Sequence, residues 1–261
     1  MPTVTLLAKK YENLQDEHFD KALRAMLEGL KVKVEICGVT GHGWIQASIS
    51  GEDETVALHY LSDRIGICPE SLENISKFSN KKGCIVALSK KVGALHVDIG
   101  VFRPRIADAS ISLQHLQAQL VDGRKMAMEK ITELFGFCDN LPLTVKILNV
   151  DRERNIIEAQ LAEKQLALYG KWTGSLLDRL LIVGATIEEV KNALQKANFS
   201  RDIIGVELLG IFEHAVVCKF GTDAVGLIPR MGKALRKARF SIFRPTKILR
   251  FFPTKVTASF S

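Results

Sequence analysis

The chain has 261 residues, of which 47% are hydrophobic and 25% charged, and carries a formal net charge of +7. That length suits two or three domains with sizeable cores, and the composition excludes wholesale disorder. No apolar run reaches the ~18 to 20 residues that cross a bilayer, and "MPTVTLLAKKYENLQDEHF" lacks a signal peptide's basic flank and apolar core, so a cytoplasmic protein without a transmembrane segment is expected.

"TVTLLAKKY" (3–11) is short and apolar enough for a strand. Phe19, Leu23, Met26, Leu27 and Leu30 then recur at three- and four-residue steps, which predicts an amphipathic helix over 16–30. "KVKVEI" and "WIQASIS" each alternate and are separated by the glycine-bearing "GVTGHG", as in a hairpin. A second helix follows, with Val56, Ala57, Tyr60, Leu61 and Ile65 as its stripe and Asp53 as its cap. The order is β-α-β-β-α.

The middle is different. "GCIVALSKKVGALHVDIG" (83–100) and "LPLTVKILNVDRERNIIEAQL" (141–161) are strand-rich, and the stretch between them, helical over 114–137, interrupts two strand pairs as in a small OB-type barrel. Beyond it "RLLIVGA" (179–185) is a strand. Thr186 and Glu189 form a capping box for a helix whose stripe is Ile187, Val190, Leu194 and Ala197. "DIIGVELLGIF" and "EHAVVCKF" are strands, "GTDAVGLIPRMGKALRKA" is a helical segment in which Pro229 is one candidate start, and "RFSIF" is a last strand.

The expected fold is therefore α+β, with two ferredoxin-like β-α-β-β-α-β modules flanking an OB-like β-barrel that carries a helical insertion. The divisions are 1–78 for the N-terminal module, 79–166 for the barrel with its insertion 114–137, 167–245 for the C-terminal module, and 246–261 for a basic aromatic tail.

The segment "VKILNVDRERNIIEAQL" (145–161), with "VGALHVDIG" before it, resembles the S-one RNA-binding domain, the OB-fold repeat of the ribosomal protein of that name. Val145 and Ile147 share one face and Leu148 and Val150 the other, a phase change that implies a bulge where a strand bends to close a barrel. The resemblance implies exposed aromatics for base stacking on the second strand, where this chain has Leu95 and His96. Over nearly the whole chain, "GWIQASISGEDETVAL", "LQAQLVDGRK", "FGFCDNLPLTVKI" and above all "VELLGIFEHAVVCKFGTDAVGLIP" resemble the domain of unknown function 2110 family. That resemblance implies an archaeal cytosolic protein of unknown function and supplies no catalytic residues.

Candidate chemistry is sparse. Cys37, Cys68, Cys84, Cys138 and Cys218 are scattered, with no CxxC, and read as small buried hydrophobes. The histidines show neither HxxxH nor HExxH, with His42 in a hairpin turn, and the glycines fit no Walker or dinucleotide fingerprint, so neither metal nor cofactor is expected. Glu213, His214 and Cys218 suggest a nucleophile with a base, but four residues along a strand span ~13 Å, and His214 cannot reach Cys218 directly. Thr222 and Asp223 read as a helix cap, with anion binding as the alternative. Trp44 and Trp172 read as core residues, with exposed stacking as the alternative.

Charge is the stronger signal. From Ala224 to Ser261 there are nine basic residues and no acidic one, which leaves 27 basic against 29 acidic in the preceding 223. The nucleic-acid-binding set expected is Lys90, Lys91, Arg152, Arg154, Arg230, Lys233, Arg236, Lys237, Arg244, Lys247 and Arg250, with Phe243, Phe251 and Phe252 interleaved near the end. The leading expectation is a non-enzymatic RNA- or ribosome-associated binding protein. The alternatives are an enzyme with a site near Glu213, His214 and Asp223, or an interaction scaffold that assembles with itself or another protein. A solvated face, or contact with an anionic membrane surface, would use the same charges.

Overall fold

The computed structural model describes residues 3–252, apart from 15, 42, 87, 89–92 and 200. Eight α-helices and a closed barrel among the described residues make a mixed α+β protein, and no helix there is long and apolar enough to cross a membrane.

The N-terminal elements are β1 (Thr3–Lys9), α1 (Asp16–Met26), β2 (Val32–Val39), β3 (Trp44–Gly51) and α2 (Glu54–Arg64). Their strands lie in the order β1-β3-β2, all antiparallel, and the helices close one face over Leu6, Phe19, Leu23, Ile45, Ile49 and Leu61. Among the described residues no full fourth strand joins this sheet after α2. The chain makes a single antiparallel bridge, Leu6 to Ile67, before Pro69, which has no N–H to continue a ladder. It then turns away as β4 (Glu70–Ser71), which pairs with a strand beyond this sheet.

The barrel contains β5 (Asn80–Val86), β6 (Ala94–Asp98), then β7 (Val101–Arg103) outside it as the partner of β4, and β8 (Ala109–Ser112). The helical insertion follows as α3 (Leu113–Leu120) and α4 (Met128–Phe135), and β9 (Pro142–Asp151) and β10 (Ile156–Leu161) close the ring. Round the ring the order is β5-β6-β8-β10-β9, antiparallel except at the β8–β10 contact. Leu143, Val145 and Ile147 alternate into the core. At Leu148 the pairing moves from Glu158 opposite Asn149 to Ala159 opposite Ile147. One residue is thus unpaired on β9, the bulge expected from the phase change. Of the two residues where the resemblance implied a stacking ring, Leu95 faces the core and His96 is half-buried.

A helix follows, α5 (Glu163–Gly174), with no clear apolar stripe in sequence, because its buried side mixes Tyr169 and Trp172 with Gln165 and Thr173. The last unit comprises β11 (Arg179–Val183), α6 (Ile187–Lys196), β12 (Ile203–Leu208), β13 (Glu213–Cys218), α7 (Ala224–Ala234) and β14 (Arg239–Phe243). Its sheet runs β12-β13-β11-β14, all antiparallel. Every residue of β11 is buried, the charged Arg179 at its start included. Leu180 and Ile182 face α6 and α7, while Leu181 and Val183 join the barrel's own core.

Two local expectations are corrected. Pro229 lies inside α7, which starts five residues earlier at Ala224 because the Asp223 carboxylate caps it by accepting from the Val225 N–H at 3.0 Å. Arg236 and Lys237 consequently lie beyond the helix end. The 246–261 segment begins as α8 (Pro245–Phe251), and Ile248 and Phe252 pack into the central core. Residues 253–261, including Lys255, lie outside the described residues.

Candidate nucleic-acid interface

Of the eleven basic residues expected to bind, Lys90 and Lys91 lie outside the described residues. Arg152 and Arg154 are exposed at the tip of the β9–β10 turn. That tip is held: the Arg154 N–H donates to Asp151 at 2.9 Å, and the Asn155 side chain, with its backbone at φ 57°, donates to the Ile106 carbonyl at 2.7 Å. Arg103 and Arg105 are exposed on the connection that carries Ile106, next to this tip, and the sequence pattern did not single them out.

The other seven belong to the C-terminal unit and α8, where their environments differ. Arg230 is exposed on α7, donates to the Ala197 carbonyl at 3.2 Å, and lies 5.5 Å from the centre of the Phe199 ring. Lys233, Arg236 and Lys237 are exposed and border a cleft of about 230 Å³ shared with Asn13 and Gly184. Arg244 is half-buried between Asp178, at 3.4 Å, and Asp223, so its charge closes the start of α7. Lys247 pairs with Glu133 on α4 at 2.9 Å. The neighbouring Lys130 and Lys247 ammonium groups together hold the Glu133 carboxyl down to about 2. Arg250 is exposed and makes no ion pair among the described residues.

Glu213, His214 and Asp223 do not converge. Glu213 and His214 are consecutive on β13 and point to opposite faces, while Asp223 lies past the far end of that strand. The His214 ring is buried, with Nε2 at 2.8 Å from the Ala185 carbonyl oxygen, and burial lowers its pKa. Glu213 faces the meeting point of all three units. The Tyr11 hydroxyl donates to its Oε1, and the Phe212 N–H donates to Oε2 at 3.3 Å. It also borders a cavity of about 630 Å³, whose walls include Leu7, Lys82, Leu143, Trp172 and Leu209.

Burial pushes the Glu213 carboxyl from 4.5 up to about 7, with the Tyr11 and Phe212 bonds opposing the rise. A folded-state pKa above the unfolded one contributes stability that is complete below about pH 4.5 and is lost as pH rises through about 7. Glu213→Gln can donate to the Tyr11 oxygen and accept from the Phe212 N–H without ever ionising. Between pH 5.5 and 8, the difference in urea-unfolding free energy should therefore shift by about 2 kcal/mol in favour of the Gln variant. A difference that stays constant with pH rules out this ionisation.

A closed five-stranded barrel joined to two units of sheet and helices, with basic side chains on its exterior, defines a mixed α+β protein. Family models described as the DUF2110 N-terminal, central and C-terminal domains match residues 3–71, 79–173 and 177–243, and the chain belongs to that family. No curated protein matches it. Among solved structures, the intact alpha subunit of aIF2 from Pyrococcus abyssi is similar over 65% of this chain and 97% of its own, with 8% identity and a TM-score of 0.25. A Thermus thermophilus protein is similar over 97% of this chain and 42% of its own, with 15% identity and a TM-score of 0.16. Likenesses that remote carry no weight for fold or function.

Proposed function

We propose that the protein is a non-enzymatic, cytoplasmic RNA- or ribosome-associated binding protein, whose C-terminal unit supplies most of the electrostatic affinity. The observation that carries this reading is the exposure of Arg230, Lys233, Arg236, Lys237 and Arg250, none of which has an acidic partner among the described residues. Unneutralised cations on one unit suit a phosphate backbone, whose binding releases counterions. In this reading the barrel is OB-like: its first strand pairs with its fourth and its third with its fifth as in that fold, the insertion follows the third strand, and the bulged β9–β10 hairpin holds out Arg152 and Arg154. The flanking units read as ferredoxin-like, the C-terminal one with four strands and the N-terminal one with its last strand reduced to a bridge.

The test is filter binding of the full chain to a labelled ribosomal RNA fragment across a salt series. Deletion of 244–261 is unsuitable because it removes Ile248 and Phe252 from the core. Charge removal is cleaner: Lys233→Ala, Arg236→Ala and Lys237→Ala together should lower the slope of log affinity against log salt by about 2. Failure to retain RNA at about 50 mM salt, or a slope unchanged by the triple substitution, refutes the reading.

A further inference from the structure

The described residue most at odds with ordinary folding is Phe220. Its side chain is 81% exposed at the tip of the β13–α7 connection, with almost nothing packed on it. The tip is rigid. The Thr222 N–H donates to the Lys219 carbonyl at 3.0 Å, closing a four-residue turn around Phe220 and Gly221, and the Lys219 N–H donates to the Asp202 carbonyl at 2.8 Å. Gly221 takes φ +87°, the left-handed conformation such a turn needs at its third position and one that glycine adopts without strain. The ring is therefore held out by the backbone.

Its surroundings are basic and come from three separate parts of the chain. A shallow cavity of about 360 Å³ beside it is bordered by Leu176, Lys219 and, from the last helix and its start, Arg244, Lys247 and Arg250. Asp178 and Asp223, the acidic groups on this cavity, are both taken up by Arg244. Lys219 and Arg250 make no ion pair among the described residues, and the Lys247–Glu133 pair is solvent-exposed, the kind that exchanges partners at little cost. An exposed ring with cations spaced round it matches an unpaired base stacked on a protein surface while its neighbouring phosphates are neutralised.

We infer that Phe220 is a stacking platform for an unpaired base of a single-stranded polynucleotide, with Lys219, Lys247 and Arg250 on the flanking phosphates. This rests on the reading of the C-terminal unit as the polyanion-binding surface, and it specifies the strandedness of what binds there. Stacking needs an accessible base face, so a paired duplex should gain nothing from the ring. The ring carries no charge, so its removal should leave the salt dependence alone.

The experiment is fluorescence anisotropy on the full chain with labelled oligouridine, the DNA oligonucleotide of matching sequence, and an RNA duplex. Phe220→Ala should weaken both single strands by about ten-fold, leave the duplex and the salt slope unchanged, and be rescued by Phe220→Trp. An exposed turn residue is not needed for folding, which an unchanged melting temperature verifies. If the unaltered protein binds the single strands and Phe220→Ala binds them equally well, this inference falls while the electrostatic reading stands. If the unaltered protein binds no polynucleotide, both fall. Loss on substitution of binding to phosphatidylserine vesicles, with polynucleotide binding intact, also overturns it and assigns the ring to a membrane surface.

Discussion

Asp98→Ala is expected to cost about 3–5 kcal/mol of unfolding free energy, a loss typical of breaking a buried ion pair from one side. Asp98 ends β6 in the barrel and is only 2% exposed. Its Oδ2 lies 2.9 Å from the Lys9 ammonium on β1, while Oδ1 accepts from the Trp44 indole N–H at 3.2 Å and the Gly100 N–H at 2.9 Å. Lys9 also sits 4.5 Å from the centre of the Trp44 ring. One carboxylate therefore joins the N-terminal sheet to the barrel. Removing it strands a cation whose side chain is only 11% exposed, together with a buried indole N–H. Adding Lys9→Met to Asp98→Ala takes away the stranded charge and should recover about half of the loss. Equilibrium urea unfolding of the two variants measures both quantities. A single-variant loss below about 1 kcal/mol, or a double variant less stable than the single, would show that the pair is not what joins these units.

That junction also marks where reading the sequence stops working. Local order was legible. The Thr186–Glu189 capping box forms with both bonds, at 3.1 and 2.8 Å, because its partners are three residues apart. The β9 bulge was legible because it reverses the facing of four neighbouring side chains, and the N-terminal hairpin because its alternation survives on both strands. What failed to show depends on distant partners. Tyr11 meets Glu213 across 202 positions, and no periodicity in either segment hints at it. Arg244 and Arg250 belong to the same basic run, yet two carboxylates engage the first while the second is exposed. Charge counting cannot separate them. Phe220 follows a buried strand and reads as its continuation, and only the turn closed by Thr222 places the ring outside. Nor does the sequence of α8 show its role, because Ile248 and Phe252 are core residues of a barrel whose strands end some ninety positions earlier.

The same basic aromatic run supports the second large expectation, Phe243→Ala, which should cost about 3–5 kcal/mol. Phe243 is fully buried at the end of β14, among rings from two helices. It stacks on Tyr169 with centroids 5.9 Å apart and planes 10° from parallel, and meets Trp172 edge-on at 5.1 Å and Phe135 edge-on at 6.2 Å. Phe135 comes from the barrel insertion, Tyr169 and Trp172 from α5, and Phe243 from the C-terminal sheet, so truncation opens a cavity where the barrel and the last unit join. The backbone is as closely fitted there: a Cβ on Gly136, at φ +66°, would lie 2.7 Å from the Ile242 carbonyl oxygen. Nothing nearby can collapse cheaply into the space, which places the loss toward the upper part of the range. Phe251, in the following helix, is the control. It is the same residue type in the same basic run but 42% exposed, and Phe251→Ala should cost no more than about 1 kcal/mol. Thermal and urea unfolding of the two variants side by side decide the matter: equal losses would mean that the terminal phenylalanines act as one exposed set, and the distinction between a ring that holds units together and rings left for a ligand would go with it.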